Sequence, residues 1–180
     1  KKINKSEIKW ISQDTPMGFG DALSSSRKFV GKETFLLHAG DAYIPNYEFL
    51  SDFIKIEKIQ KCSGVLLLQR KKDLRGYGIA QLKKKNNEKL VINVQEKPKK
   101  PLSSLVILPI YIFKPSIFDA LEKTAKGYNC ELQVTDAIQK LIDWDKKIVG
   151  YDYSNKPWYD IGTPANYFKS LVHSFKIATK

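Results

Sequence analysis

Three uninterrupted apolar runs limit what this chain can become: residues 34–37 leading into His38-Ala39-Gly40-Asp41, then Gly64 to Leu68, and Leu105 to Phe113. A strand with one face in water alternates polar and apolar residues. A run without alternation needs cover on both faces. Such strands belong to a sheet with helices on each side, and the residues between the runs supply helical patterns.

Asn46 is placed to cap a helix whose Phe49, Leu50, Phe53 and Ile54 share one face, with Ile56 at its margin and Lys55, Glu57 and Lys58 on the solvated side. A loop from Gln13, punctuated by Pro16, Gly18 and Gly20, enters a helix near Asp21. Pro115 suits the first position of a helix through Ile117, Phe118 and Leu121. Thr135 and Asp136 sit in another, with Leu132, Ala137, Ile138, Leu141 and Ile142 as its buried side. Thr163-Pro164 opens the last helix, with Tyr167, Phe168, Leu171, Val172 and Phe175 turned inward. Further strands are expected around Ile8, Trp10 and Ile11, over 148–151, and in a hairpin of 77–82 and 90–94 about a lysine-rich turn. Together these predict an α/β fold, a mixed, mostly parallel sheet with helices on both faces, in one domain over residues 1–180.

Charge narrows the function. The net charge is +12, yet Lys supplies 28 of the 31 basic residues, with only Arg27, Arg70 and Arg75 as Arg. Phosphate and base recognition in nucleic acids relies on the forked guanidinium, so this balance points to a solvated surface and away from a nucleic-acid reader. No apolar run approaches the length of a membrane span. Cys62 and Cys130 stand far apart with no metal-ligand spacing, the pattern of two reduced, partly buried thiols in a cytoplasmic protein.

Chemistry gathers at a few places. Asp41 follows an apolar strand and a glycine, and Asp160 sits in Trp158-Tyr159-Asp160-Ile161-Gly162. In open α/β sheets the carboxyl ends of strands face the ligand crevice. An acid there either caps the next turn or holds a cation. Two such acids suit a hard divalent ion, which takes one or two carboxylates plus substrate phosphates. The Gln13 loop is either a helix-entry turn or an amide beside glycines over which a flat ring lies. Glu96-Lys97-Pro98 is either an exposed ion pair or a contact for sugar hydroxyls and phosphate. His38 and His173 have no partner at ligand spacing.

In this order the elements Gln13-x-x-Pro16-x-Gly18-x-Gly20-Asp21-Ala22, Gly40-Asp41, Tyr77-Gly78, Glu96-Lys97-Pro98, Tyr111, Glu131-Leu132-x-x-Thr135-Asp136 and Trp158-x-Asp160-x-Gly162-Thr163 resemble the sugar-nucleotide pyrophosphorylases. The resemblance spans nearly the whole chain. It implies a Rossmann-like nucleotidyltransferase core and transfer of a nucleotidyl group from dTTP or UTP, as nucleoside triphosphate, to a hexose 1-phosphate with release of pyrophosphate. It implies that Asp41 and Asp160 hold Mg²⁺ and act catalytically with Lys97. It also implies that Gln13 and Gly18 read the base with Pro16 lining that loop. Glu96 and Gly78 would bind sugar hydroxyls and Lys97 the sugar phosphate, with Tyr77, Tyr111 and Trp158 as walls. The family's glycine-rich G-x-G-T-R loop and the Lys-Pro element after it are not in this sequence, and Pro109 stands where relatives commonly carry Gly. The resemblance therefore implies a missing N-terminal segment and a partial domain. The sheet edge so exposed is expected to be covered by that segment or by a second copy in a homo-oligomer. A non-catalytic subunit that binds sugar phosphates or nucleotide sugars is the alternative.

Overall fold

The computed structural model describes residues 7–86 and 88–179. Its elements follow in order: α1 (Phe19–Ser25), α2 (Arg27–Val30), β1 (Phe35–His38), β2 (Ala42–Tyr43), α3 (Leu50–Gln60) and β3 (Gly64–Arg70). Then come the hairpin β4 (Ile79–Lys85) and β5 (Glu88–Gln95), β6 (Leu105–Phe113), α4 (Ser116–Glu122) and α5 (Val134–Asp143). The chain ends with β7 (Ile148–Asp152), β8 (Tyr159–Asp160) and α6 (Pro164–Ala178).

Six strands form one sheet in the order β1-β6-β3-β7-β5-β4, and β2 pairs with β8 apart from it. β6 is the axis. Its alternate residues divide between two cores: Ile107, Tyr111 and Phe113 join one, Val106, Leu108, Ile110 and Ile112 the other. α1, α4 and α5 supply Leu23, Phe118, Leu121, Ala137, Ile138 and Leu141 to the first core. α3 covers the second with Phe53 and, just before it, Phe49. Helices thus lie on both faces, as continuous apolar strands require.

The sheet is mixed but not mostly parallel. β3 and β7 pair in parallel, whereas β1–β6, β3–β6, β4–β5, β4–β6 and β5–β7 are all antiparallel. The reason is an insertion. β1 and β3 run the same way, but β6 lies between them in the opposite sense. β6 also carries an irregularity: Leu66 faces Tyr111 while Leu68 faces Ile107. Pro109 sits in that interval, where a residue without an N–H is tolerated. Its carbonyl still accepts from Ala39 N at 3.0 Å.

Several local expectations are corrected. Residues 7–12 form no strand, and Trp10 is 88% exposed, because no neighbouring strand among the described residues completes a ladder there. β1 is not buried on both faces; it is an edge strand with Leu36 41% exposed. Asn46 caps a turn, accepting from Glu48 N at 2.7 Å, and α3 begins a turn later. The helix after the Gln13 loop starts at Phe19, two residues before Asp21, and Pro115 stands just outside α4. Glu57 is buried, paired with Lys114 Nζ at 3.1 Å, while Ile54 on the expected inner face is exposed. The hairpin strands run on through the lysines to Lys85 and resume at Glu88, so the turn is shorter than the charge run. Cys62 is buried, with its thiol pushed up by that burial, but Cys130 is exposed.

The largest departure is α6. Thr163 caps it, its Oγ1 accepting from Asn166 N at 3.3 Å. Yet Tyr167, Phe168, Leu171, Val172 and Phe175 all face outward among the described residues, Phe168 at 66% and Phe175 at 69% exposure. The helix touches β8 and lies away from both cores. Among the described residues no helix is long and apolar enough to cross a membrane.

Gly18 and Gly20 have protein packed on the side where a Cβ would stand. A Cβ on Gly20 would stand 2.7 Å from the Leu132 carbonyl oxygen, which accepts from Gly20 N at 2.9 Å. Gly18, at φ +107°, is equally close to Glu131 and Leu132. Because that obstacle is backbone, overpacking by about 1–3 kcal/mol outweighs the helix propensity gained by alanine. Gly20→Ala is therefore expected to lower stability by about 1–2 kcal/mol in urea unfolding. Unchanged stability would mean that the 131–132 segment is free to retreat.

Candidate active site

A cavity of about 340 Å³ opens where the carboxyl end of β1, the start of β4, the end of β5 and the face of β6 meet. Its floor is one side of β6: Ile107, Pro109 and Tyr111, alternate residues of one strand. The same face carries the first core, so the floor is as rigid as the interior. Two backbone bonds pull the opposite rim together. Lys97 N donates to the Tyr77 carbonyl at 3.2 Å, and Ile107 N to the Gly78 carbonyl at 2.8 Å. Tyr77, Gly78, Glu96 and Lys97, from two separate motifs, thereby reach one side of the cavity.

Asp41 and Asp160 lie on the other side, and the small two-stranded sheet explains why. Ala42 of β2 stands opposite Asp160 of β8, and Ile161 N donates to the Asp41 carbonyl at 2.8 Å. The side chains converge. The position a Cβ on Gly162 would take is 3.1 Å from Asp160 Oδ1 and 3.6 Å from Asp41 Oδ2. Asp160 Oδ1 also accepts from Gly162 N at 2.9 Å, which fixes its rotamer. No third His, Cys, Asp or Glu joins them into a metal-binding group among the described residues. Two hard oxygen donors beside an open cavity fit Mg²⁺, which keeps water and substrate oxygens as its remaining ligands.

The electrostatics are those of a mixed site. Lys97 Nζ is 3.4 Å from Glu96 Oε1, and the Glu96 side chain is only 11% exposed, so this is a cavity pair and not a solvated one. Lys97 has a left-handed backbone, φ +40°, a conformation costing a residue with a side chain about 1–3 kcal/mol. Burial, and then the Glu96 charge, push the Tyr111 hydroxyl well above its ordinary range, so it stays a neutral donor. Burial and Glu96 likewise hold Asp136 above the usual carboxylate range. Trp158 and Tyr77 meet edge to face at 6.2 Å, and the buried Trp158 Nε1 has no acceptor among the described residues.

Not every expected residue arrives here. Asp41, Tyr77, Gly78, Glu96, Lys97, Tyr111, Trp158 and Asp160 all line the cavity. Gln13, Pro16 and Gly18 do not; from their loop only Phe19 does. The Gln13 amide instead donates to Asp21 Oδ2 at 2.5 Å and to the Gly18 carbonyl at 3.4 Å.

Sequence reasoning passed over Gln133 and gave no role to Thr135, both of which line the cavity from the entry of α5. Thr135 Oγ1 lies 2.9 Å from where a Cβ on Gly78 would stand. The Thr135–Asp136 pair stood among the motifs that carry the resemblance, but with no role attached. Lys71 was hidden in a charged run. Its Nζ lies 2.9 Å from the Tyr77 hydroxyl and 4.8 Å over the Trp158 ring, which ties the two walls together.

Comparisons with known proteins point to one family. A family described as Nucleotidyl transferase matches residues 1–175. A UTP–glucose-1-phosphate uridylyltransferase of Bacillus subtilis is 35% identical over 181 residues, covering 96% of this chain and 60% of that protein. A glucose-1-phosphate thymidylyltransferase of Streptomyces griseus is 28% identical over 156 residues, covering 87% of this chain and 42% of the relative. Among solved structures, an apo UDP-glucose pyrophosphorylase superposes with a TM-score of 0.87 at 22% identity, over 98% of this chain and 66% of that one. That likeness shows the fold. The chain spans about half the length of these curated relatives.

The raised Asp136 carboxyl sets a pH dependence. It binds its proton more tightly folded than unfolded, so stability is lost as pH rises through its titration and stays lower above it. Asp136→Asn is expected to raise the melting temperature at pH 7, with the gain gone at roughly pH 4 and below. A gain independent of pH would mean that charge burial is not the cause.

Proposed function

The chain belongs to the nucleotidyl transferase family, and from that premise we propose that it is part of a sugar-1-phosphate nucleotidyltransferase. The reaction is attack by a phosphate oxygen of a hexose 1-phosphate on the α-phosphorus of UTP or dTTP. The bond from that phosphorus to the bridging oxygen breaks, and pyrophosphate leaves. The observation that carries this reading is the approach of Asp41 and Asp160 to one point beside a cavity holding Glu96 and Lys97.

Each residue has a role in it. Lys97 donates to the sugar phosphate, and Glu96 accepts from sugar hydroxyls. Gly78 leaves room for the ring, and Tyr77, Tyr111 and Trp158 enclose it. Asp41 and Asp160 hold Mg²⁺, which when bound offsets charge accumulating on the phosphates. Gln13 and Gly18 face the base with Pro16 beside them, which requires Gln13 to exchange its bond to Asp21 for one to the nucleotide. Reactions of this type depend on positioning and charge neutralisation more than on covalent help, which suits a site without a nucleophile. Two unpaired thiols suit a cytoplasmic setting.

A second reading draws support from the same Gln13 bond. With its amide engaged internally, the chain acts as a regulatory subunit that holds sugar phosphates or nucleotide sugars and turns nothing over.

A pyrophosphate-release assay separates the two. With hexose 1-phosphate, UTP or dTTP, and Mg²⁺, the intact protein is expected to release pyrophosphate, and omitting Mg²⁺ should stop it. Asp41→Asn and Asp160→Asn should each lower turnover roughly a hundredfold or more. Full turnover in either variant removes that aspartate from the mechanism. Tight sugar-phosphate binding with no release under any condition favours the regulatory subunit.

A further inference from the structure

The ammonium of Lys97 has two neighbours that attract it in different ways. Glu96 Oε1 lies 3.4 Å away, a loose ion pair, and the ring of Tyr128 lies with its centroid 4.8 Å from Nζ. A carboxylate partner neutralises the cation it holds. A ring face attracts the cation through its quadrupole without carrying a formal charge, so the positive charge stays available to an anion.

Tyr128 is presented by a segment closed on itself. Gly127 N donates to the Glu131 carbonyl at 2.8 Å, Cys130 N to the Gly127 carbonyl at 3.0 Å, and Glu131 N to the Tyr128 carbonyl at 3.2 Å. The segment is also fastened from α5. The amide of the buried Gln133 donates to the Tyr128 carbonyl at 3.2 Å, and the Asp136 carboxylate occupies the place a Cβ on Gly127 would need. Asn129 and Cys130 both take left-handed backbone conformations to complete the turn. The ring itself remains half-exposed while its backbone is held at several points.

We propose that Tyr128 is a positioning residue for Lys97: its ring face steadies the ammonium at the cavity, beside Glu96 but not captured by it, so that the phosphate of a hexose 1-phosphate meets an already oriented cation. A free lysine side chain samples many rotamers and must lose that freedom on binding. Restraint before binding moves that cost out of the binding step. The proposal rests on the reading of Lys97 as the phosphate contact.

Calorimetric titration of the intact protein with glucose 1-phosphate, and with free glucose as the neutral comparison, tests it. Tyr128→Leu is expected to weaken glucose 1-phosphate binding about five- to tenfold while leaving free glucose unchanged. Tyr128→Phe and Tyr128→Trp keep a ring face and should bind within about twofold of the parent. In the Lys97→Met background, Tyr128→Leu should cost nothing further, because the effect runs through that ammonium. Parent-like binding by Tyr128→Leu, equal losses in Tyr128→Phe and Tyr128→Leu, or an additive loss in the double variant would each overturn the proposal. Normal glucose 1-phosphate binding by Lys97→Met overturns instead the assignment of Lys97, so the two failures are distinguishable.

Discussion

Burial of β6 on both faces is the constraint on which the rest depends. From Leu105 to Phe113 every residue but Pro109 is buried, and alternation sends the side chains into two separate cores. Neither core closes without a helix layer of its own, so the strand obliges α3 to cover one face and α1, α4 and α5 the other. Burying about 25 cal/mol per Å² of apolar surface on two sides makes this strand costly to displace. Every strand of the six-stranded sheet that approaches the cavity is aligned against it or against its neighbours. Ile107, Pro109 and Tyr111 then serve two purposes, since the face that holds the core together is also the cavity floor.

The two sides of the cavity are assembled differently. The rim with Tyr77, Gly78, Glu96 and Lys97 is set by the sheet itself, through backbone bonds from Lys97 to Tyr77 and from Ile107 to Gly78. The aspartate side hangs on a two-residue strand pair and one bond from Ile161 to Asp41. Fewer interactions hold it, and that side is the one that would need to adapt to a cation and its water. The α6 helix extends from the same short pair, touching β8 and leaving its aromatic stripe outward. A rim fixed by the sheet thus faces an acidic pair held by few bonds, so one side of the cavity is suited to positioning and the other to charge neutralisation.

How far the sequence carried can be judged from individual residues. Continuous apolar runs located β3 and β6 and the covering layers, since the number of covered faces is written in the periodicity. The ordered motifs supplied nine residues that line one cavity, eight of them with an expected role. Glu57 and Ile54 exchanged places because hydrophobic pattern is only a prior, and the nearby ammonium of Lys114 made the interior acceptable to a carboxylate. Gly18 and Gly20 announced a close approach, and the Glu131–Leu132 segment stands where their Cβ atoms would be. A glycine announces close approach without saying of what.

The sequence by itself determined most strands of the main sheet and the longer helices, that both sheet faces are covered, and the family to which the chain belongs. Only the tertiary structure decided that β6 enters between β1 and β3, so that a mixed sheet expected to be mostly parallel has a single parallel pair. It alone decided that Asp41 and Asp160, 119 positions apart in the chain, lean toward one point. The reason is the range of the interactions. Periodicity and capping are local and can be read within a few residues, whereas strand order and side-chain convergence arise from contacts between segments that meet only when the whole chain has folded.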